Sequence, residues 1–514
     1  MAVKLLNSNI TDFWKEVRTL NSCRVSLPCT IDGISGTENI AELWRQHYCS
    51  LFNCIQNELY NVGNYQVNEP IVIMSREVDQ AISKLPQNKV SGLDNISAEH
   101  LKYGSKRIAP LLAVCFTGFL IHSVLPDSML SVLLVPVIKN KAGKVGNLDN
   151  YRPIALASIL SKVLEKILLD RLNVFINSTD SQFGFKAKHG TDLCIYALKE
   201  IVNKYRDNNS SVFTCFIDAS KAFDRVNHAK LFSKMRHRGV PEYIVRILAY
   251  WYAHQLMRVK WGNKVSAPFG VGNGVRQGGI LSPVLFNLYM DELSEHLNVC
   301  KTGCMIGNTL LLNLCSDYGL EHDILYNPDK SVVMICRTKE DKSINFPVFK
   351  LSKKSLTVCA KVKYLGHIIT ERMTDDEDIE RQRHVMYMQA NILLRKFSFC
   401  TDEVKVSLFK AYCTTLYTAH LWCNYRASSL QKLQVAYNDA MRILLRRPRW
   451  HSASEMFVSV RVITFKALLR NLMYSFICRL NAAKNEIIVG LSNIGVSTTR
   501  YQSKLWRHWY CCIL

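Results

Sequence analysis

Cysteines at metal-ligand spacing are missing from this chain. It carries 18 cysteines but no C-x-x-C and no His pair near them; the closest pairs are Cys300/Cys304 and Cys511/Cys512. That excludes a zinc site of the usual spacing. Scattered free thiols fit a reduced, intracellular protein, cytoplasmic or nuclear. The opening residues, MAVKLLNSNITDFWKE, hold no apolar core of a secretory signal. Internal repeats and low-complexity tracts are absent. The run IAPLLAVCFTGFLIHSVLP (108–126) lacks Asp, Glu, Lys and Arg over 19 residues. It also holds two prolines, Thr117, His122 and Ser123, so it reads as a buried core helix, and no membrane partner is expected.

Acids are in short supply. Against 65 Lys and Arg stand 42 Asp and Glu, a net charge of +23. The imbalance concentrates late: residues 381–514 hold 20 bases and 5 acids, a net of +15. Such a surplus suits a polyanion, nucleic acid first; an anionic membrane surface and a merely solvated basic face are the alternatives. With 48% hydrophobic and 21% charged residues, 514 positions can form two to four folded domains.

Periodicity divides the chain into a mixed body and a helical end. AELWRQHYCSLFNCI spaces its apolar residues three and four apart, as a helix does. PQNKVSGLDN is a loop before a Ser97 N-cap. SVLLVPVIK (131–139) reads as a buried strand interrupted by Pro136, and the stretch from YRPIAL through LNVFI reads as one long amphipathic helix. Lys139, Lys141, Lys144 and Arg152 surround the turn between them. GVGNGVRQGG is a glycine-rich approach to a helix opened by Ser282 and Pro283, suited either to a tight helix entry or to backbone contact with an anion. SVVMICR and KVKYLGHIIT read as strands, and beyond about residue 375 only helical spacing remains.

The stretch FIDASKAFD (216–224) carries the chemistry. A β-rich run, SVFTCF, ends in one carboxylate, Asp218, and Ser220 opens a helix-like segment, KAFDRVNHAKLFSKMRHRG. An acid at a strand tip commonly holds a metal, and a catalytic metal needs a second acid beside it.

In order, NKVSGLDNIS, VPVIKN…NYRPIAL, QFGFKAKHGT, FIDASKAFD, GVRQGGILSP, NPDKSVVM and KVKYLG resemble the reverse transcriptases of non-LTR (LINE-type) retrotransposons, and the resemblance covers nearly the whole chain. It implies an α+β right-hand polymerase acting on an RNA template, a DNA primer and dNTPs with two Mg2+ ions. On that resemblance Asp218 and the Ala219 carbonyl are metal ligands, and Lys330 lies near the leaving pyrophosphate as a catalytic residue. Lys139 and Arg152 grip the triphosphate, Phe223 excludes a ribose 2′-OH, and Gln277 with Gly278 positions the nucleotide. Tyr364, Leu365 and Gly366 hold the primer end. The implied organisation is a helical linker (1–70), fingers and palm (71–345), primer-grip turn and helical thumb (346–480) and a basic C-terminal segment (481–514). Aromatics among the late bases, in LLRRPRWH and YQSKLWRHWY, suit either a duplex-tracking thumb or a core.

One block is absent. The family places two adjacent aspartates on a strand hairpin between the GVRQGG helix and NPDK. Here that interval reads NVCKTGCMIGNTLLLNLCSDYGLEHDILY, without Asp-Asp, as though the hairpin were deleted near Thr309/Leu310. Asp317 lies in a helical pattern and Asp323 in the turn after it. MTDDED (373–378) reads as an exposed acidic helix start. Asp224 is close in sequence to Asp218, with its direction open. The expectation is a reverse transcriptase of impaired catalysis; the alternative is a non-catalytic RNA- or DNA-binding remnant.

Overall fold

Two small sheets and the helices packed on them carry the candidate site, and the computed structural model describes residues 1–6, 10–21, 27–55, 71–140, 143–299, 309–338 and 348–493. Helix α1 (Thr37–Leu51) buries Ile40, Ala41, Trp44 and Tyr48, the face its spacing predicts. Helix α2 (Ile108–His122) buries Ala109, Ala113, Phe116 and Leu120. Its other face stays in solvent, with Val114 74% exposed, so the expected core helix is buried along one stripe only. No helix among the described residues is long and apolar enough to cross a membrane.

Strand β1 (Ser131–Ile138) pairs antiparallel with β2 (Tyr151–Ala157). This corrects the single long helix expected from YRPIAL onward. Residues 151–157 are strand, and α3 (Ile159–Leu172) starts only after Ser158, whose hydroxyl accepts from the Leu160 amide. Nor does Pro136 interrupt β1. It faces Pro153 across the ladder, so the two residues without an N–H share one rung.

Helix α4 (Thr191–Asp207) leads into β3 (Val212–Phe216) and the short β4 (Ala219–Ser220). The helix expected from Ser220 is broken into a 3-10 turn, Ala222–Arg225, and α5 (His228–His237). The break is an N-cap: the Asn227 side chain accepts from the Lys230 amide. After α6 (Glu242–His254), strand β5 (Leu256–Trp261) runs parallel to β1. Lys264–Val265 and Phe269–Gly270 complete this five-stranded sheet.

The second sheet follows α7 (Ser282–Val299) and α8 (Thr309–Glu321). Strand β6 (Leu325–Tyr326) pairs with β4, and β7 (Val332–Cys336) pairs antiparallel with β3 along five rungs. On its other side β7 takes β8 (Thr357–Val358). Among the described residues β3 is therefore an edge strand. One of its faces, Phe213, Cys215 and Ile217, packs with Leu312 and Cys315 of α8. The other, Val212 and Phe216, packs with Val202 of α4 and Met334.

Strands β9 (Lys361–Tyr364) and β10 (His367–Thr370) form a tight hairpin, and the described residues after Thr370 contain no strand. Helices α9 (Asp376–Phe397), α10 (Asp402–Tyr412) and α11 (Ala427–Leu444) share one apolar core that includes Met386, Phe409 and Tyr437. The acidic start of α9 is not the exposed cap expected. Asp375 and Asp378 are 1% and 0% exposed. Asp375 meets Lys199 of α4 at 2.5 Å, and Asp378 accepts from Trp422 Nε1 at 2.8 Å. Trp450, in LLRRPRWH, is 85% exposed rather than core. YQSKLWRHWY and Lys141 lie outside the described residues.

Candidate functional site

A cleft of about 840 Å³ opens between the two sheets. Eight of the eleven residues singled out from the sequence line it: Lys139, Arg152, Asp218, Ala219, Phe223, Gln277, Gly278 and Lys330. They come from four separate segments, and each is held by local chemistry.

Asp218 follows β3 by two residues. Its amide donates to Ser331 Oγ at 3.0 Å, and its carbonyl accepts from the Asn327 amide at 2.8 Å. The 218–327 rung is thus hydrogen-bonded, so by the alternation of an antiparallel ladder Ala219, opposite Tyr326, is not. That frees the Ala219 carbonyl from β6. The turn carrying Lys330 is built by Asn327, whose side chain accepts from the amides of Asp329 and Lys330 at 3.1 and 3.3 Å. Phe223 stacks on Phe286, centroids 4.6 Å apart, and meets the edge of Phe185.

The glycine-rich loop is pinned from both sides. Arg276 pairs with buried Glu165 at 2.5 Å and lies over the Trp251 ring, and Glu165 also accepts from the Ile280 amide at 2.6 Å. The Gln277 carbonyl accepts from the Ala155 amide at 2.8 Å. Gly278 sits at φ 118°, and a Cβ there would lie 2.9 Å from the Ala155 carbonyl oxygen, so the close approach to β2 needs glycine. Gln277 Nε2 donates to Asp224 Oδ1 at 2.7 Å.

Sequence reasoning left Asp224 open and missed Lys221, Asp149 and His47, all of which line the cleft. Lys221 takes a left-handed conformation, φ 51°, and reaches within 3.8 Å of Asp149. No sequence pattern marks that backbone state. Lys139 Nζ donates to the Asp149 carbonyl at 2.8 Å. Burial, then the neighbouring Lys221 and Arg152 cations, lower the Lys139 pKa.

Asp224 is 3% exposed, and burial raises its carboxyl to about 6, against the pull of Gln277, Lys221 and Lys139. The raised value favours the folded state fully below the ordinary 3.8, and that advantage is lost as pH rises through 6. Asp224→Asn keeps an acceptor for Gln277 and removes the buried charge. It is expected to stabilise the fold by about 2–3 kcal/mol at pH 7.5 and by almost nothing near pH 4. Urea midpoints of both proteins at the two pH values check this.

Tyr364, Leu365 and Gly366 are not in the cleft; they form the β9–β10 turn behind β3. Tyr364 packs on Phe216, two residues before Asp218, with centroids 5.1 Å apart. Leu365 and Gly366, at φ 46° and 88°, make the two-residue turn that hairpins favour. Tyr417 covers it, donating to the Leu365 carbonyl at 2.8 Å and meeting Thr191 Oγ1 at 2.8 Å. Gly366→Ala puts a Cβ 2.9 Å from the Tyr417 ring in a left-handed conformation and is expected to cost about 1–2 kcal/mol, read as a lowered melting temperature.

The residues present do not fit a pair of magnesium ions. Among the described residues, the two other acids that line the cleft with Asp218 are Asp149 and Asp224. Asp224 is engaged by Gln277, and Asp149 lies on the lysine-rich wall. Asp323 is tied to Lys230 and Asn227 away from the cleft, and exposed Asp317 lies on α8. Among the described residues no three His, Cys, Asp or Glu side chains are grouped to hold a metal. Residues 300–308, CKTGCMIGN, contain no acid at all.

Residues 138–369 match the family model described as "Reverse transcriptase (RNA-dependent DNA polymerase)". The "Probable RNA-directed DNA polymerase from transposon BS" of Drosophila melanogaster is 27% identical over 74% of this chain and 45% of that protein. The "RNA-directed DNA polymerase from mobile element jockey" of the same organism is 22% identical over 88% and 53%. The chain therefore spans about half the length of the curated relatives it matches. A solved telomerase from Candida tropicalis, in complex with a fragment of telomeric RNA, aligns over 76% of this chain and 68% of its own. It shares 11% identity at a TM-score of 0.35, a likeness too slight to carry an argument. With this match over the stretch that builds the cleft, residues 138–369 carry a reverse transcriptase domain similar to those of the non-LTR retrotransposon polymerases.

Proposed function

We propose that this chain binds an RNA template, a DNA primer and dNTPs as its family does, but polymerises DNA poorly or not at all. The observation that carries the reading is Asp218, set in the cleft with Lys139, Arg152, Lys221 and Lys330, where the two other lining acids among the described residues are engaged, Asp224 by Gln277 and Asp149 by Lys221. In this reading residues 71–345 act as fingers and palm, and 346–480 as primer-grip turn and thumb. Residues 1–70 are a helical lead-in and 481–514 a basic tail. Lys139, Arg152 and Lys330 face the triphosphate and Phe223 the sugar. Gln277 and Gly278 face the base-pairing edge of the cleft, and Tyr364 to Gly366 support the primer strand.

Nucleotidyl transfer asks little covalent chemistry of the protein; it needs an aligned 3′-oxygen and a neutralised triphosphate. The cleft supplies cations for the second requirement. The net +15 of residues 381–514 supplies backbone contacts for a duplex. Gel-shift titration of the full chain with a primed RNA template tests the binding half. Tight complexes at low salt, weakening at least about a hundredfold between 50 and 200 mM salt, are expected. No complex at low salt would contradict it.

A further inference from the structure

The cation-rich cleft raises a question about the state in which a nucleotide enters it. We propose that the cleft takes the free triphosphate of a nucleoside triphosphate without a divalent ion, held by Lys139, Arg152, Lys221 and Lys330. The inference rests on the reading of the cleft as a nucleotide site and goes beyond it, because it replaces the ion by protein charge.

Three observations support it. Lys139 and Arg152 come from the β1–β2 ladder, Lys221 from the turn after β4, and Lys330 from the turn before β7, yet all four line one cavity. The lowered pKa of Lys139, in part an effect of Lys221 and Arg152, marks cations close enough to repel one another and to gain from a shared anion. The acids lining the cleft are three among the described residues: Asp224 already accepts from Gln277 and Asp149 lies 3.8 Å from Lys221, which leaves Asp218 as the exposed acid with no side-chain partner of its own to offer a metal. A triphosphate oxygen can satisfy lysine and arginine donors directly, as a charge-assisted hydrogen bond does.

The electrostatics give a sign that separates this from metal-bridged binding. Where an ion joins carboxylate to phosphate, removing the carboxylate loses the ion and weakens binding. Where no ion intervenes, Asp218 faces the phosphates as a like charge, and removing it strengthens binding.

Isothermal titration calorimetry of the full chain with each dNTP, first in excess EDTA and then in Mg2+, tests this. The expected result is binding in EDTA that Mg2+ does not strengthen. Asp218→Asn is expected to tighten it about three- to tenfold, and Lys221→Ala and Lys330→Ala each to weaken it about tenfold. Thermal melts establish that each variant is folded. Binding that requires Mg2+ and weakens in Asp218→Asn would overturn the inference while leaving the nucleotide cleft intact. No dNTP binding in either condition would overturn the inference and the cleft reading together.

Discussion

Asp375→Asn is expected to destabilise the chain by about 3–5 kcal/mol, because it strands a buried lysine. Lys199 and Asp375 side chains are 3% and 2% exposed and meet at 2.5 Å. Lys199 Nζ also donates to the Leu421 carbonyl at 2.9 Å. The second Asp375 oxygen accepts from the amides of Cys423 and Asn424 at 2.8 and 3.0 Å. An asparagine amide offers one oxygen where two are in use, and places N–H groups where donors already converge. The pair joins α4, beside the cleft, to the start of α9, so its loss loosens the helical region as a unit. Burial raises the Asp375 carboxyl, but the Lys199 charge, His367 and the backbone amides outweigh it and hold the pKa below 3.8. Its stabilisation is therefore present above that value and is lost as pH falls through the depressed one. Urea unfolding checks both points. The double variant Lys199→Met with Asp375→Asn is expected to recover part of the loss, since the uncompensated charge is gone.

The second large effect concerns the reaction itself. Extension of a primed RNA template in Mg2+ and dNTPs is expected to run at least about a thousandfold slower than by a relative with the full set of carboxylates. Metal clamping of attacking and leaving oxygens supplies several kcal/mol, and losing about 4 kcal/mol slows a reaction about a thousandfold. Inserting an Asp-Asp hairpin from such a relative between Thr309 and Leu310 is expected to restore much of the rate. The structure offers that hairpin a place: β3 pairs with β7 on one side only among the described residues. Unchanged activity after insertion would point to some other defect in the cleft.

Much of this was legible in the residues, and the exceptions share a cause. The mixed α+β class, the strand carrying Asp218 and the turn carrying Lys330 follow from motif order and local chemistry. YRPIAL misled because its apolar spacing also suits a helix; pairing with SVLLVPVI decided it, and sequence alone does not show a rung where two prolines face each other. MTDDED looked solvent-facing because a run of four acids usually is. The buried Lys199, His367 and Trp422 that hold two of them lie far apart in the chain. Asp224 and Lys221 reach the cleft through a 3-10 turn and a left-handed residue, neither of which leaves a periodic trace. Tyr417 covers the Leu365–Gly366 turn from more than fifty residues away.

Crystals of the full chain with primer, template, dNTP and Mn2+, measured for anomalous scattering, put the lone-carboxylate reading to its most direct test. The expected map shows no pair of ions beside Asp218. Two ions about 3.5–4 Å apart, bridged by Asp218 and a second Asp or Glu of this chain, would contradict it.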